Sequence, residues 1–279
     1  MSCNSRVFAP EKTPEDLALG KFVDDATYEV YNQGAQSSLY RLWIPDGVQP
    51  RAVLALSRGG GASGLEMVEL PEWRDYARKE GLALLGTYTR TSTEAGAHNL
   101  LVALHEMAEE YNIPELNSAP ILLRGFSSGG RFSHDFAHFQ PERTLAFANL
   151  MGTVNEVDMI MPPGLFIIGA KDLESRNVAI KNVFLKQRSL NAIACLSIDR
   201  LAAHGVEQND DLVRSFFSAI LSEKLSTSPP KQLQITTMPL GNNELKEVYA
   251  YTDYPYEIET ASALINDAFK ILWQEFEQR

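Results

Sequence analysis

Hydrophobic residues in this chain fall into short unbroken runs, separated by stretches with helical spacing. That alternation predicts strands and helices in turn. Positions 52–56, Ala-Val-Leu-Ala-Leu, are apolar without a gap, as expected of a strand covered on both faces. Runs at 82–85, 120–123, 145–151, 165–169 and 193–198 read the same way. Segments 69–79, 97–111, 128–139 and 178–190 between them are helix-like, with Leu101, Leu104, Ala108 and Tyr111 recurring at helical spacing. Upstream, 27–31 and 38–44 read as two strands around Asn32-Gln33-Gly34, and Pro45-Asp46-Gly47 then breaks the chain. After the last strand run, Asn209 or Asp210 can cap a helix on which Leu212, Phe216 and Ile220 run beside Val213, Phe217 and Leu221. A final helix has an apolar side made of Leu264, Phe269, Leu272 and Trp273.

Repeated strand–helix alternation implies a mostly parallel central sheet of about eight strands with helices on both faces. The expected organisation has three parts. Residues 1–25 are a loose, polar, Pro- and Asp-rich lead-in, 26–225 are the core, and 226–279 are a tail packing back on it. The Ser- and Pro-rich break at 226–231 marks the second boundary, and the residues beyond it are too few for a typical domain.

Composition narrows the function. The chain has 279 residues, 44% hydrophobic and 22% charged, in the ordinary range for a globular protein. A formal net charge of −11 disfavours nucleic-acid binding and adsorption to anionic membranes. No apolar run reaches the ~20 residues of a membrane span. The N-terminus has no basic start followed by an apolar stretch, so it does not read as a signal peptide. The compartment stays open between cytoplasm and export with a removed leader, and the oligomeric state is open too. The two cysteines, Cys3 and Cys195, form no zinc-like spacing. Cys195 sits in an apolar run and reads as a small buried hydrophobe rather than half of a disulfide.

Gly125-Phe126-Ser127-Ser128-Gly129-Gly130 carries one match to G-x-S-x-G, centred on Ser127, directly after an apolar strand and before a helix. A nucleophile on a tight strand-to-helix turn needs glycine at i−2 and i+2, where side chains would collide. Ser128 fails that test because Phe126 stands two residues before it. A serine hydroxyl also needs a base. Of five histidines, His98 and His105 precede the serine, and His134 and His138 ride the helix leading away from it. His204 differs, because it follows the last strand run in the loop Ala202-Ala203-His204-Gly205. The base in turn needs a carboxylate. Asp172, just after the run at 165–169, is the candidate, with Glu174, Asp158 and Asp199 as rivals.

An oxyanion would be held by backbone amides. Ser128, next to the nucleophile, should supply one. The loop Ser57-Arg58-Gly59-Gly60-Gly61 should supply the other, with Gly60 first choice and Gly59 and Arg58 close behind. Residues 59–64 also match G-x-G-x-x-G, a dinucleotide fingerprint. The next strand, however, ends in Thr87-Tyr88-Thr89-Arg90, with no carboxylate for a ribose, although Arg90 would suit a 2′-phosphate. Side chains that would line a substrate site are Arg58, Trp73, Tyr88, Phe132 and Tyr251.

The glycine-flanked serine, Asp172 and His204, in that chain order, resemble the α/β-hydrolase family. The similarity runs over roughly 52–225 and is greatest to bacterial feruloyl-esterase and polyhydroxybutyrate-depolymerase-like proteins. The stretch 268–274 also resembles their closing helix. The resemblance implies an α/β-hydrolase fold and a serine carboxylesterase working through an acyl-enzyme, with no metal and no cofactor. One departure is Arg58, where many relatives carry histidine before the oxyanion glycines. The short segment 150–164 leaves little room for a large lid, which favours short-chain, aryl or polyester-type substrates, small or at a polymer end. The competing readings are a peptidase or acyltransferase on the same triad, an NADP-binding oxidoreductase, and a non-catalytic hydrolase-like binding protein.

Overall fold

The computed structural model describes residues 28–31, 37–60, 63–89, 94–205, 209–227 and 231–279. The expected lead-in at 1–25, Cys3, the turn at 32–34, Gly61 and Arg90 lie outside the described residues. The chain divides into two compact units, residues 1–144 and 145–279.

In the first unit, β1 (Tyr28–Tyr31) and β2 (Ser37–Trp43) lead to β3 (Ala52–Ser57). Then come α1 (Pro71–Glu80), β4 (Leu82–Thr89), α2 (Glu94–Glu110), β5 (Ile121–Phe126) and α3 (Ser128–Phe139). The strand order is β1-β2-β4-β3-β5. The β1–β2 and β2–β4 pairs are antiparallel, and β3 pairs in parallel with both β4 and β5. The whole of β3 is buried, which is why its sequence shows no polar alternation. Helix α1 begins with proline, whose missing N–H costs nothing there, and stops at Gly81 in the left-handed conformation (φ 64°). A 3-10 segment, Leu65–Glu69, stands before it, so Glu69, read from the sequence as the first helical residue, closes that segment instead.

The second unit contains β6 (Thr144–Leu150), β7 (Gly164–Gly169), α4 (Glu174–Ser189), β8 (Ala194–Asp199) and α5 (Asp210–Lys224). Strands β6, β7 and β8 are neighbours in that order and parallel. The connection 151–163 holds neither helix nor strand, and no large lid stands among the described residues.

The C-terminal stretch belongs to the same unit. It forms a small antiparallel sheet of β9 (Leu240–Asn242), β10 (Glu247–Tyr249) and β11 (Ser262–Ala263), then α6 (Asp267–Glu277). Asn266 caps α6 by accepting the N–H of Phe269 at 3.1 Å. The helix presses its apolar side inward: Phe269 meets Phe216 edge to face at 5.4 Å, and Trp273 donates its indole N–H to Leu196 O at 2.9 Å. Buried Arg188 on α4 ties the stretch down further, donating to Ala261 O and Ile258 O at 2.6 and 2.9 Å. The large sheet is thus mostly parallel, with five of its described strands in one unit and three in the other, and the second unit also holds the small antiparallel sheet of β9, β10 and β11. No described helix is long and apolar enough to cross a membrane.

Candidate active site

In the first unit the chain turns sharply from β5 into α3 at Ser127. Its backbone lies at φ 54°, ψ −119°, a conformation that L-residues adopt at a cost of about 1–3 kcal/mol. The glycines around it follow from sterics. A Cβ on Gly125 would stand 1.9 Å from Gly129 O. One on Gly129 would stand 2.8 Å from both Arg58 O and the Ser57 Cβ. Contacts that short do not exist between real atoms, so the G-x-S-x-G spacing is what lets this turn close. The carbonyl of Ser127 accepts the N–H of Arg131 at 3.0 Å and so begins the helix. The amides of the first turn of α3 are left without carbonyl partners inside that helix.

The loop after β3 packs on this turn. A Cβ on Gly59 would fall 2.3 Å from the Ser127 Cβ, so glycine is required where the loop touches the serine. Gly60 has φ 65°, and its N–H points to the Ser128 hydroxyl at 3.3 Å. Both residues expected to offer oxyanion amides therefore stand beside one another. The stretch 59–64 is followed by the 3-10 segment rather than by the helix N-terminus on which a dinucleotide pyrophosphate would rest.

In the second unit, Asp172 and His204 come together. Asp172 follows β7, and its side chain is only 3% exposed. His204 follows β8, with its side chain 33% exposed. Its Nδ1 is 2.9 Å from Asp172 Oδ2. The other oxygen, Oδ1, accepts the backbone N–H of Leu173 at 2.7 Å and a hydrogen bond from Arg176 Nη1. Burial pushes the Asp172 carboxyl up. The hydrogen bonds from Arg176, His204 and Leu173 outweigh that and hold it below the usual carboxylate range. Arg176 Nη1 also stands 2.9 Å from His204 Nδ1. The loop that carries His204 is shaped by Asp199, whose Oδ1 accepts the N–H groups of Leu201 and Ala202, both at 3.0 Å. Gly169 allows the loop to lie close, since a Cβ there would meet Ala203 O at 2.4 Å.

The rival carboxylates do other things. Asp199 builds the turn just described. Asp158 is exposed and pairs with Lys186 at 2.7 Å, and Glu174 is exposed in the first turn of α4. Among the other histidines, His98 and His105 are exposed on α2, the latter 2.9 Å from Asn117 Oδ1. His134 is buried on α3 beside Asp135 at 3.3 Å, and His138 rests on the Phe139 ring.

The expected lining residues are scattered. Trp73 is wholly buried on α1 with its ring edge-on to Tyr76, and Phe132 is buried on α3 against Phe136. Both occupy packing positions. Tyr88 is half-buried on β4, and Arg58 is exposed. Tyr251 lies in the C-terminal stretch and lines a cavity of about 590 Å³ with Met238, Tyr249 and Lys270. Cys195 is a buried free thiol, and burial pushes it up, away from reactivity. The residue that sequence reasoning missed is Arg176. Its signal was the four-residue spacing from Asp172 across the start of a helix.

No protein-family model and no curated protein matches the chain. Solved structures do match in shape. An esterase of Pyrobaculum calidifontis is 14% identical with a TM-score of 0.54, over 70% of this chain and 84% of that one. A Pyrococcus furiosus esterase is 15% identical with a TM-score of 0.53, over 78% and 98%. The S-formylglutathione hydrolase of Staphylococcus aureus is 11% identical with a TM-score of 0.53, over 70% and 97%. At such low identity the likeness concerns the fold, and that fold is the α/β-hydrolase fold.

Proposed function

From the α/β-hydrolase fold as premise, we propose that this protein is a serine carboxylesterase, with Ser127 as nucleophile, His204 as base and Asp172 as the acid behind it. The observation that carries the reading is the backbone of Ser127. A non-glycine residue is held at φ 54° between two glycines that cannot be replaced without collision. Strain of that kind persists where a function requires it. The Asp172–His204 pair supports the same reading, because it orients the imidazole through Nδ1 and assigns proton transfer to Nε2.

In the proposed reaction, His204 Nε2 takes the Ser127 hydroxyl proton as Oγ attacks an ester carbonyl. The amides of Ser128 and Gly60 receive the oxyanion, and the Gly60 N–H leaves its resting contact with the Ser128 hydroxyl to do so. The protonated imidazole then gives its proton to the departing alkoxide, leaving an acyl-serine. A water deprotonated by His204 attacks the acyl carbonyl, and the acid departs as Ser127 recovers its proton. No step calls for a metal or a cofactor. The absence of a large lid among the described residues suits short-chain, aryl or polymer-end esters. The names of the structural neighbours, esterases and a hydrolase, are in keeping with this chemistry.

The test is a fluorophosphonate probe followed by peptide mapping, then assay of short p-nitrophenyl esters. The reading expects the adduct on Ser127 and its loss in His204→Ala. Labelling elsewhere, or ester turnover that survives His204→Ala, would overturn it. A panel of amide substrates separates an esterase from a peptidase.

A further inference from the structure

Arg176 stands on the first turn of α4, four residues after Asp172, and touches both members of the acid–base pair. The Asp172 carboxylate is engaged on both sides: Oδ1 by the Leu173 N–H and by Arg176, Oδ2 by His204. We infer that Arg176 is a positioning residue, which holds Oδ1 so that Oδ2 meets His204 Nδ1 and thereby selects the imidazole tautomer whose lone pair sits on Nε2. This role rests on the esterase reading.

What each group can do at Nδ1 decides the tautomer. A guanidinium only donates, an ionised carboxylate only accepts, and a neutral imidazole nitrogen does one or the other. Both partners lie 2.9 Å from Nδ1, so they demand opposite tautomers. If Nδ1 accepted from Arg176, the ring proton would sit on Nε2, and His204 could not take a proton from a hydroxyl. The carboxylate wins because the bond from Nδ1–H to an anion is charge-assisted, and because Asp172 stays ionised. The approach of Arg176 to Nδ1 is then a meeting of two donors, held together by the carboxylate they share.

Without Arg176, the Leu173 N–H alone would hold Oδ1, and the carboxylate would be able to rotate about its Cβ–Cγ bond. Misplaced groups of this kind cost up to about a hundredfold in rate. A cation beside a ring that must become cationic also opposes catalysis. Geometry and charge therefore pull in opposite directions, and geometry dominates.

The experiment compares wild type with Arg176→Ala and with Arg176→Met, which keeps an apolar stem should the alanine variant fold poorly. The expected result is kcat lower by roughly ten- to a hundredfold, with KM within about twofold. Guanidinium ion, at concentrations far below denaturing ones, should restore several-fold of the activity of Arg176→Ala, while sodium should not. The downfield proton resonance of His204 Nδ1–H should be present in wild type and weakened in both variants. Unchanged kcat, a change confined to KM, or an Nδ1–H resonance identical in all three proteins overturns the inference. The resonance reads Arg176 even if the fluorophosphonate leaves Ser127 unmodified. Failure of the esterase reading and failure of this one are therefore told apart.

Discussion

The turn at Ser127 and the pair Asp172–His204 are built by different means. At the turn the constraint is backbone sterics. Gly125, Gly129 and Gly59 are each a place where any Cβ would meet another atom at 2.8 Å or less. At the pair the constraint is a set of side-chain hydrogen bonds. Asp172 collects donors from Leu173, Arg176 and His204, and Asp199 folds the loop through Leu201 and Ala202. A steric constraint admits one residue type and so leaves a sharp trace in the sequence. A hydrogen-bonded constraint uses residues common on any surface, and its trace is faint.

Substitutions can break or sharpen that contrast, and the largest expected effect is at Ser127. Ser127→Ala removes the proposed nucleophile while leaving the turn intact. It should lower p-nitrophenyl ester turnover by about 10⁴-fold or more without loss of melting temperature. Asp172→Asn should come next, at about a thousandfold in turnover, because an amide offers its nitrogen or its oxygen to His204 and no longer fixes the tautomer. Near-normal rates in Asp172→Asn would mean that the polar network does not set the base.

Gly125→Ala tests the steric side. With its Cβ 1.9 Å from Gly129 O, the variant should lose about 3 kcal/mol in denaturant unfolding, or fail to fold. A wild-type midpoint would show that the turn can shift more cheaply than its geometry implies.

The smallest effect concerns the support of β8. Glu277, buried on α6, accepts the Ile198 N–H at 2.8 Å, and burial pushes its carboxyl from 4.5 up to about 7. The folded state thus binds a proton that the unfolded chain has already lost. The stabilising contribution is complete below about 4.5 and falls away as pH rises to about 7. The change amounts to at most about 3 kcal/mol. Glu277→Gln should flatten stability between those pH values, measured by denaturant midpoints across the range. A slope unchanged by the substitution would place the titrating group elsewhere.

Much of the fold was legible in the sequence, and the reason is burial. Unbroken apolar runs such as 52–56 and 165–169 exist because both faces of those strands are covered, and they lie inside β3 and β7. The boundaries were less legible. The helix read at 69–79 starts on the last residue of the 3-10 segment Leu65–Glu69, whereas α1 begins only at Pro71, because no change in hydrophobicity marks the Leu70–Pro71 junction. Aromatic residues were the least informative. Trp73 and Phe132 carry no sequence mark that separates a wall of a site from the interior of a layer, and both are buried.

By itself the sequence determined the order of the helices and of the eight strands of the large sheet, though not the short strands β9, β10 and β11, and it determined the sharp turn at Ser127, because these follow from local sterics and from one-dimensional patterns of burial. Tertiary structure alone decided that Asp172, and not Asp199, Asp158 or Glu174, meets His204, and that Arg176 joins them. Those choices depend on how loops after separate strands approach one another, and no pattern within a single segment records that distance.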